Sequence, residues 1–91
     1  MNWIEYKESV KAIDPLAKED IEEMEAKAAI VSAMVARRNA LGLSQRDLAS
    51  LCNIPQSSIS KIEAQKISPT LDTLVKLFHH LGLQLSAIPK L

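Results

Sequence analysis

A group of polar residues near the middle of the chain has the composition of a surface that hydrogen-bonds to DNA bases. On a helix that begins near residue 56, one side would hold Gln56, Ser57, Ser60, Lys61 and Ala64. Glutamine can pair with N6 and N7 of adenine, serine can bond to several base edges, and lysine can contact guanine or a phosphate. The pattern predicts a recognition helix that lies in the major groove.

A second short helix must hold this recognition helix in place. The two helices would face each other through inward residues, namely Leu48, Ala49 and Cys52 on the first and Ile59, Ile62 and Glu63 on the second. A small side chain at Ala49 lets the two helices approach closely. Because Asn53-Ile54-Pro55 supplies a turn between them, residues 44–63 predict a helix-turn-helix.

Phosphate contacts are expected beside the base contacts. Ser44, with Asp47 three residues later, forms a capping-box pattern that begins the first helix of the pair. Backbone N–H groups and the helix dipole favour an anion at that end, near Ser44 and Gln45. Such contacts fix the position on DNA without distinguishing sequences. The predicted DNA-binding residues are Ser44, Gln45, Gln56, Ser57, Ser58, Ser60, Lys61 and Lys66.

Other chemistry finds little support in the sequence. Cys52 and the pair His79-His80 suggest a nucleophile or a metal ligand, but Cys52 lies on the inward helix face. No second cysteine or acidic cluster completes a metal site. With only Gly42 and Gly82, the chain also has no glycine-rich phosphate loop. We predict no catalytic site, no metal and no cofactor.

The charges are distributed unequally. Residues 1–27 hold eight acidic and four basic side chains, a net charge of −4, whereas residues 28–91 hold seven basic and three acidic, a net charge of +4. This asymmetry indicates nucleic acid as the partner of the basic part and a basic molecule as the partner of the acidic part. Alternatively, the acidic part is only a solvated helix face.

Length and composition limit the class of protein. The 91 residues, 47% of them hydrophobic, predict one domain with an appended arm. A single cysteine allows no internal disulfide. The chain has neither a signal-peptide pattern nor an apolar run of the ~20 residues that a membrane helix needs. We therefore expect a soluble, cytoplasmic protein that does not contact a membrane.

Helices are expected on both sides of residues 44–63. A first helix ends at Asp14-Pro15, and a second runs from residue 15 to Leu41 before Gly42. The recognition helix spans residues 56–64, and a last helix follows Ser68-Pro69-Thr70 and stops at Gly82. The predicted apolar stripes are Trp3, Tyr6, Val10 and Ile13; Ile21, Met24, Ala28, Val31 and Val35; and Leu71, Leu74, Val75, Phe78 and Leu81.

The C-terminal tail has a different pattern from the helices. Residues 83–89 partly alternate between apolar and polar side chains, which predicts a strand. A lone strand has no partner in an otherwise helical monomer. We therefore expect it to pair with the same strand of a second subunit, through Leu83, Leu85 and Ala87.

Residues 30–82 resemble the Cro/repressor (XRE-type) helix-turn-helix family. The resemblance rests on Gln45, Leu48-Ala49, Ile54, Gln56, Ile59, Ile62-Glu63 and Ser68-Pro69-Thr70-Leu71. It implies that Gln45 contacts a phosphate and supports Gln56, which bonds to a base. It also implies base contacts by Ser57 and Lys61, and an ion pair between Arg38 and Glu63.

The sequence departs from this family at three places. Asn53 stands where glycine is usual, Pro55 stands where serine or threonine is usual, and Ala64-Gln65 replaces Asn-Gly. Asparagine tolerates the left-handed conformation, so the turn at Asn53 is expected to persist. The change at Ala64-Gln65 affects the loop that presents Lys66.

A narrower resemblance covers residues 54–85 and the acidic extension. Both resemble the DNA-binding antitoxins of type II toxin–antitoxin modules, especially the HigA-like group. The resemblance implies a homodimer that binds a palindromic operator in its own promoter and neutralises a small, basic, RNA-cleaving toxin. The predicted toxin-binding residues are Trp3, Tyr6, Val10, Ile13, Glu19, Asp20, Glu22 and Glu23. The apolar members of this set can equally pack on the chain's own helices.

Together these patterns predict an all-α, lambda-repressor-like five-helix fold. The helix-turn-helix domain occupies residues 28–82, after an acidic helical extension at residues 1–27 and before a strand-forming tail at residues 83–91. Two alternatives to an antitoxin remain. One is a stand-alone phage-type or metabolic repressor without a toxin partner. The other is a helical interaction adaptor that does not bind DNA, which the neutral overall charge favours.

Overall fold

The computed structural model describes Trp3, Ile4, Lys7 and residues 15–90. These residues form four helices and no strand. The helices are α1 (Pro15–Ala40), α2 (Gln45–Cys52), α3 (Gln56–Glu63) and α4 (Leu71–His80). The all-helical class and the helix-turn-helix formed by α2 and α3 are therefore confirmed. No described helix is long and apolar enough to cross a membrane.

The two ends of the chain leave part of the prediction open. Trp3, Ile4 and Lys7 have helical backbone, but the rest of the predicted first helix, including Tyr6, Val10 and Ile13, lies outside the described residues. Residues 83–90 have no regular secondary structure in this single chain. Because a strand requires a partner strand, the pairing of this tail across a dimer stays a prediction.

The chain divides into two compact units, Met1–Ile30 and Val31–Leu91. In the first unit, the Lys7 ammonium lies 3.4 Å from the Glu25 carboxylate. Helix α1 runs through both units and buries different side chains in each, Ile21 in the first and Met34 in the second. The predicted stripe of α1 is wrong at Met24, which is 58% exposed, and it did not include Met34, which is fully buried.

The core of the second unit surrounds α2, which packs against α3 and α4. Its buried side chains are Met34, Leu48, Ala49, Cys52, Ile59, Ile62, Leu77, Phe78 and Leu81. On α2 they recur at one-, three- and four-residue spacing, and on α3 at three-residue spacing, so each helix turns one stripe inward. The predicted packing of the two helices through these residues is confirmed.

The predicted stripe of α4 is confirmed at Phe78 and Leu81, which are buried, and is wrong at its other edge. Leu77 is fully buried, whereas Leu71 and Val75 are 71% and 52% exposed. At 3.6 residues per turn, the apolar side chains of α4 occupy one sector of about 160°, so the sequence does not show which edge of this sector is buried. Only packing against the rest of the unit places the edge with Leu77 inward and the edge with Leu71 and Val75 outward.

Candidate nucleic-acid interface

The N-terminus of α2 is fixed by a capping box. The Ser44 side chain accepts a hydrogen bond from the Asp47 N–H at 3.0 Å, and the Asp47 carboxylate accepts one from the Ser44 N–H at 2.9 Å. The hydrogen bond from the Ser44 N–H to the Asp47 carboxylate is the main cause that lowers the pKa of Asp47 below its ordinary value, and the Ser44 side chain adds to the shift. Because the N–H groups of Ser44 and Asp47 are occupied, the donors that remain for a phosphate at this end are the N–H groups of Gln45 and Arg46.

The turn between α2 and α3 is closed by the left-handed conformation of Asn53. Its φ is 55°, and its N–H faces the carbonyl groups of Ala49 and Ser50. The Ile54 N–H also bonds to the Ala49 carbonyl, at 3.0 Å. Asparagine accepts this conformation more readily than most residues. The departure from glycine at this position therefore leaves the turn intact.

Helix α3 presents a polar side to solvent. Ile59 and Ile62 are buried against the core, with exposures of 0% and 2%. Ser58 is half-buried and lies at the edge of the exposed side. Four predicted base-contacting residues are exposed together, and we call them the recognition face: Gln56, Ser57, Ser60 and Lys61. The N-cap of α3, Pro55, makes no side-chain hydrogen bond.

A hydrogen-bonded ion pair joins the end of α1 to the end of α3. The Arg38 guanidinium donates to both Glu63 carboxylate oxygens, at 2.7 and 2.9 Å, with side-chain exposures of 12% and 7%. The hydrogen bond to Glu63 raises the pKa of Arg38, although partial burial opposes this shift. Arg38 also donates to the Leu43 carbonyl at 2.8 Å. Its charge is therefore used inside the fold rather than offered to DNA.

Gln45 belongs to the same network. Its side-chain Nε2 donates to Glu63 Oε1 at 3.1 Å. Gln45 is the first residue of α2, and Glu63 is the last residue of α3. The predicted phosphate-contacting residue and the ion pair are therefore brought together, a contact that the sequence did not suggest.

The loop after α3 is short and contains an unusual backbone conformation. Gln65 has a φ of 57°, at one of the two positions where the resembled family has Asn-Gly. The Gln65 N–H bonds to the Ile62 carbonyl at 3.0 Å, and the Lys66 N–H bonds to the Lys61 carbonyl at 2.8 Å. The loop remains tight despite the substitution. The Lys66 side chain is exposed beyond the end of α3.

Arg46 was missing from the predicted site. It is exposed and lines a shallow depression of about 420 Å³, together with the first residue of the recognition face, Gln56. Arg46, Ser50 and Asn53 recur at four- and three-residue spacing, so all three line this depression from α2 and its C-cap. That spacing was the signal available in the sequence for placing a positive charge near Gln56.

The remaining candidate chemistry takes no part in this surface. Cys52 is fully buried, and burial raises the pKa of its thiol against the opposing effect of Lys76. His80 Nδ1 lies 2.9 Å from the Lys76 carbonyl, within its own helix. No group of three or more potential metal ligands occurs among the described residues. Cys52 is therefore a packing residue.

The predicted toxin-binding and dimer residues stay predictions in the structure of this single chain. Trp3 is 54% exposed. Glu19, Asp20 and Glu23 are exposed and Glu22 is half-buried, while Tyr6, Val10 and Ile13 lie outside the described residues. In the tail, Leu83 and Leu85 are half-buried and Ala87 is exposed.

A short capped helix, a tight turn and an outward polar helix define a helix-turn-helix DNA-binding protein. The chain belongs to the helix-turn-helix family, because the family model described as "Helix-turn-helix" matches residues 35–88. The resemblance to the XRE type is thereby confirmed.

Three comparisons with known proteins agree with this assignment. Over 97% of this chain and 85% of the other, it is 33% identical to an uncharacterized HTH-type transcriptional regulator of Haemophilus influenzae. It is 49% identical to the HTH-type transcriptional regulator PuuR of Escherichia coli over 49 residues, which are 54% of this chain and 26% of PuuR. A solved chain described as "Toxin-Antitoxin module from Streptococcus pneumoniae" superposes with a TM-score of 0.73 at 33% identity, covering 99% of this chain and 94% of that one.

Proposed function

We propose that this protein is a dimeric DNA-binding antitoxin that represses its own operon and neutralises a cognate RNase toxin. The observation that carries the DNA-binding part is the recognition face on α3, held outward by the burial of Ile59 and Ile62. The antitoxin part is supported by the likeness to the Streptococcus pneumoniae toxin–antitoxin chain over almost the whole length of both chains.

The recognition face supplies the base contacts in this proposal. Gln56 pairs with a base through its amide, and Ser57, Ser58 and Ser60 adjust to neighbouring edges. The phosphate backbone is contacted at the start of α2 by Ser44 and Gln45, and near the end of α3 by Lys61 and Lys66. The charge of residues 28–91, +4, attracts DNA even though the whole chain is neutral.

A homodimer places two recognition faces on one side of the DNA. The proposed contacts are the tails, paired through Leu83, Leu85 and Ala87. Two recognition helices related by a twofold axis fit a palindromic operator with half-sites about 34–36 Å apart, or a multiple of that distance. Replacement of Leu85 by proline removes a backbone donor from the paired strand, so it is expected to weaken the dimer in sedimentation measurements.

The first unit (Met1–Ile30), called the acidic unit because residues 1–27 have a net charge of −4, supplies the contact with a small basic toxin. Glu19, Asp20, Glu22 and Glu23 provide negative charge, and Trp3 provides exposed apolar surface. Ile4 and Met24 are also more than half exposed in this unit, at 59% and 58%. A surface that combines apolar side chains with charge suits the docking of a basic protein.

DNA binding is tested with the duplex upstream of the protein's own gene, compared with a scrambled duplex of equal length across a salt series. We expect specific binding that weakens steeply with salt, because phosphate contacts release counterions. Gln56→Ala is expected to cost about 1–3 kcal/mol at one base position. Gln84→Ala, an exposed glutamine of the tail, is the matched control. Equal binding to both duplexes would contradict the repressor function.

Toxin neutralisation is tested separately by co-expression with the protein encoded beside this gene. Changing Glu19, Asp20 and Glu23 to their amides is expected to abolish rescue of growth while leaving DNA binding intact. Deletion of residues 1–27 is expected to have the same two effects. A variant without residues 1–27 that still rescues growth would remove this unit from the mechanism.

A stand-alone phage-type or metabolic repressor is the alternative. The local identity of 49% to PuuR, whose name describes a transcriptional regulator, favours it. In that case the acidic unit only completes the fold, and no toxin-like reading frame lies beside the gene. The charge variants described above would then bind DNA normally and have no growth phenotype.

A further inference from the structure

The Glu63 carboxylate accepts three hydrogen bonds although it forms one ion pair. Oε2 accepts from Arg38 Nε at 2.7 Å, while Oε1 accepts from Arg38 Nη2 at 2.9 Å and from Gln45 Nε2 at 3.1 Å. The third bond crosses from α3 to α2. It is not needed to balance the charge of Glu63, because Arg38 already does so.

This third bond joins the two helices of the helix-turn-helix at the end opposite their turn. The turn at residues 53–55 joins the C-terminus of α2 to the N-terminus of α3, whereas Glu63 and Gln45 join their two distant ends. Arg38 adds a bond to the Leu43 carbonyl, one residue before the N-cap of α2. The same network therefore holds the phosphate-facing end of α2 and the end of the recognition helix.

The bond also selects the orientation of the Gln45 amide. A glutamine amide carries two N–H donors on nitrogen and an acceptor oxygen, and either end can face a neighbour. An ionised carboxylate only accepts hydrogen bonds, so Glu63 requires the nitrogen on its side. The second N–H and the Oε1 of Gln45 have no hydrogen-bond partner among the described residues. Because phosphate oxygens accept hydrogen bonds, the second N–H of Gln45 is able to donate one to a phosphate.

We propose that Glu63 is a positioning residue for DNA binding, whose carboxylate orients the Gln45 amide so that its second N–H meets a phosphate. This inference rests on the proposed binding of DNA. Glu63 acts through Gln45 and touches no base or phosphate itself.

The test is a double-mutant cycle on binding to the duplex upstream of the gene. In the native background, Gln45→Ala is expected to weaken binding about 10-fold, because it removes a hydrogen bond to a charged group. In a Glu63→Gln background, where the amide at position 63 no longer fixes the Gln45 orientation, the same change is expected to weaken binding less than about 3-fold. Equal effects in both backgrounds would overturn the proposal.

Arg38→Lys is the matched control for loss of the ion pair. It keeps the charge but loses the two-pronged contact with Glu63, while the Glu63–Gln45 bond remains available. The effect of Gln45→Ala is expected to stay near 10-fold in this background, with all proteins measured below their unfolding transitions. If Arg38→Lys reduces that effect as much as Glu63→Gln does, the cause is general loosening, and the proposal fails.

A measurement on the free native protein decides the orientation without any variant. In NMR spectra, one of the two Nε2 protons of Gln45 is expected to be shifted from its random-coil position and protected from exchange with water by the bond to Glu63. Random-coil shifts and unprotected exchange for both protons would overturn the inference. Because this readout needs no DNA, it remains decisive even if the native protein proves not to bind its upstream duplex, an outcome that would instead refute the proposed function.

Discussion

The two helices of the helix-turn-helix, α2 and α3, have eight residues each but are stabilised by different means. Helix α2 begins with the capping box of Ser44 and ends at Asn53, a residue type suited to the left-handed conformation. Helix α3 begins after Pro55 without a side-chain cap, and its following loop places Gln65 in the left-handed region. Local sequence therefore defines both ends of α2 and neither end of α3.

The recognition helix depends instead on contacts with other elements. Ile59 and Ile62 attach its inner side to the core, and Glu63 attaches its last turn to Arg38 and Gln45. These contacts all lie on one side or at one end. The recognition face and the first N–H groups of α3 consequently stay available for DNA. We infer that α3, the helix proposed to contact bases, is positioned by contacts with the rest of the fold. Helix α2, which supports it, also has capping residues at both of its own ends.

The largest expected effect comes from removing the ion pair at the end of α3. Arg38→Met leaves the Glu63 carboxylate buried without a charged partner, so we expect a loss of about 3–5 kcal/mol in the free energy of unfolding. Urea unfolding measures it. The double variant Arg38→Met with Glu63→Leu is expected to recover much of the loss. A single variant as stable as the native protein would mean that α3 does not need this contact.

Loss of the buried side chain at the centre of α3 should be nearly as severe. Ile59→Ala removes a fully buried side chain, and the resulting cavity is expected to cost about 2–5 kcal/mol in the free energy of unfolding. Val75→Ala, on the exposed side of α4, is the control and should change stability by less than about 0.5 kcal/mol. Similar losses for both variants would contradict the proposed dependence of α3 on its inner side.

Removing the cap of α2 should have a smaller effect. Ser44→Ala deletes the hydroxyl that accepts from the Asp47 N–H, and we expect a loss of about 1 kcal/mol in urea unfolding. Ser60→Ala removes a serine hydroxyl from the recognition face, where it makes no cap. That control is expected to leave stability unchanged. An equal loss for both serines would erase the distinction between the two helices.

A glycine after α3 should stabilise the protein. Gln65 has a left-handed backbone conformation, which costs a side-chain-bearing residue roughly 1–2 kcal/mol. Gln65→Gly is therefore expected to raise the free energy of unfolding by about 1 kcal/mol, after subtraction of the entropic cost of glycine. The measurement is an increase in the thermal midpoint. Asn53→Gly, at the equivalent position after α2, should gain less. A larger gain at Asn53 would show that the α2 end is the strained one.

The capping box also predicts a pH dependence. The folded state lowers the pKa of Asp47, so this group stabilises the fold above its unfolded pKa of about 3.9. The contribution is lost as the pH falls through the lower folded pKa. Relative to Asp47→Asn, the native protein should therefore lose stability more steeply below about pH 4. Parallel pH profiles of the two proteins would contradict this contribution.

Short-range features were predicted well from the sequence. The spacing of Ser44 and Asp47, the small residue Ala49, and the inward pair Ile59 and Ile62 all correspond to contacts in the structure. The Arg38–Glu63 pair was implied only by resemblance to a family, and the structure contains it. Arg46 was missed although its spacing with Ser50 and Asn53 was a signal, whereas no local pattern points to the Glu63–Gln45 bond.

The sequence by itself determined the four described helices, the caps of α2 and the polar character of the recognition face, because these depend on residues no more than four positions apart. The tertiary structure decided which edge of the apolar side of α4 is buried, that Met24 is exposed while Met34 is buried, and that Gln45 meets Glu63. Those outcomes depend on the angles and distances at which whole helices pack. Residues 18 or 25 positions apart come together only through that packing, and a single sequence carries no periodic signal for it.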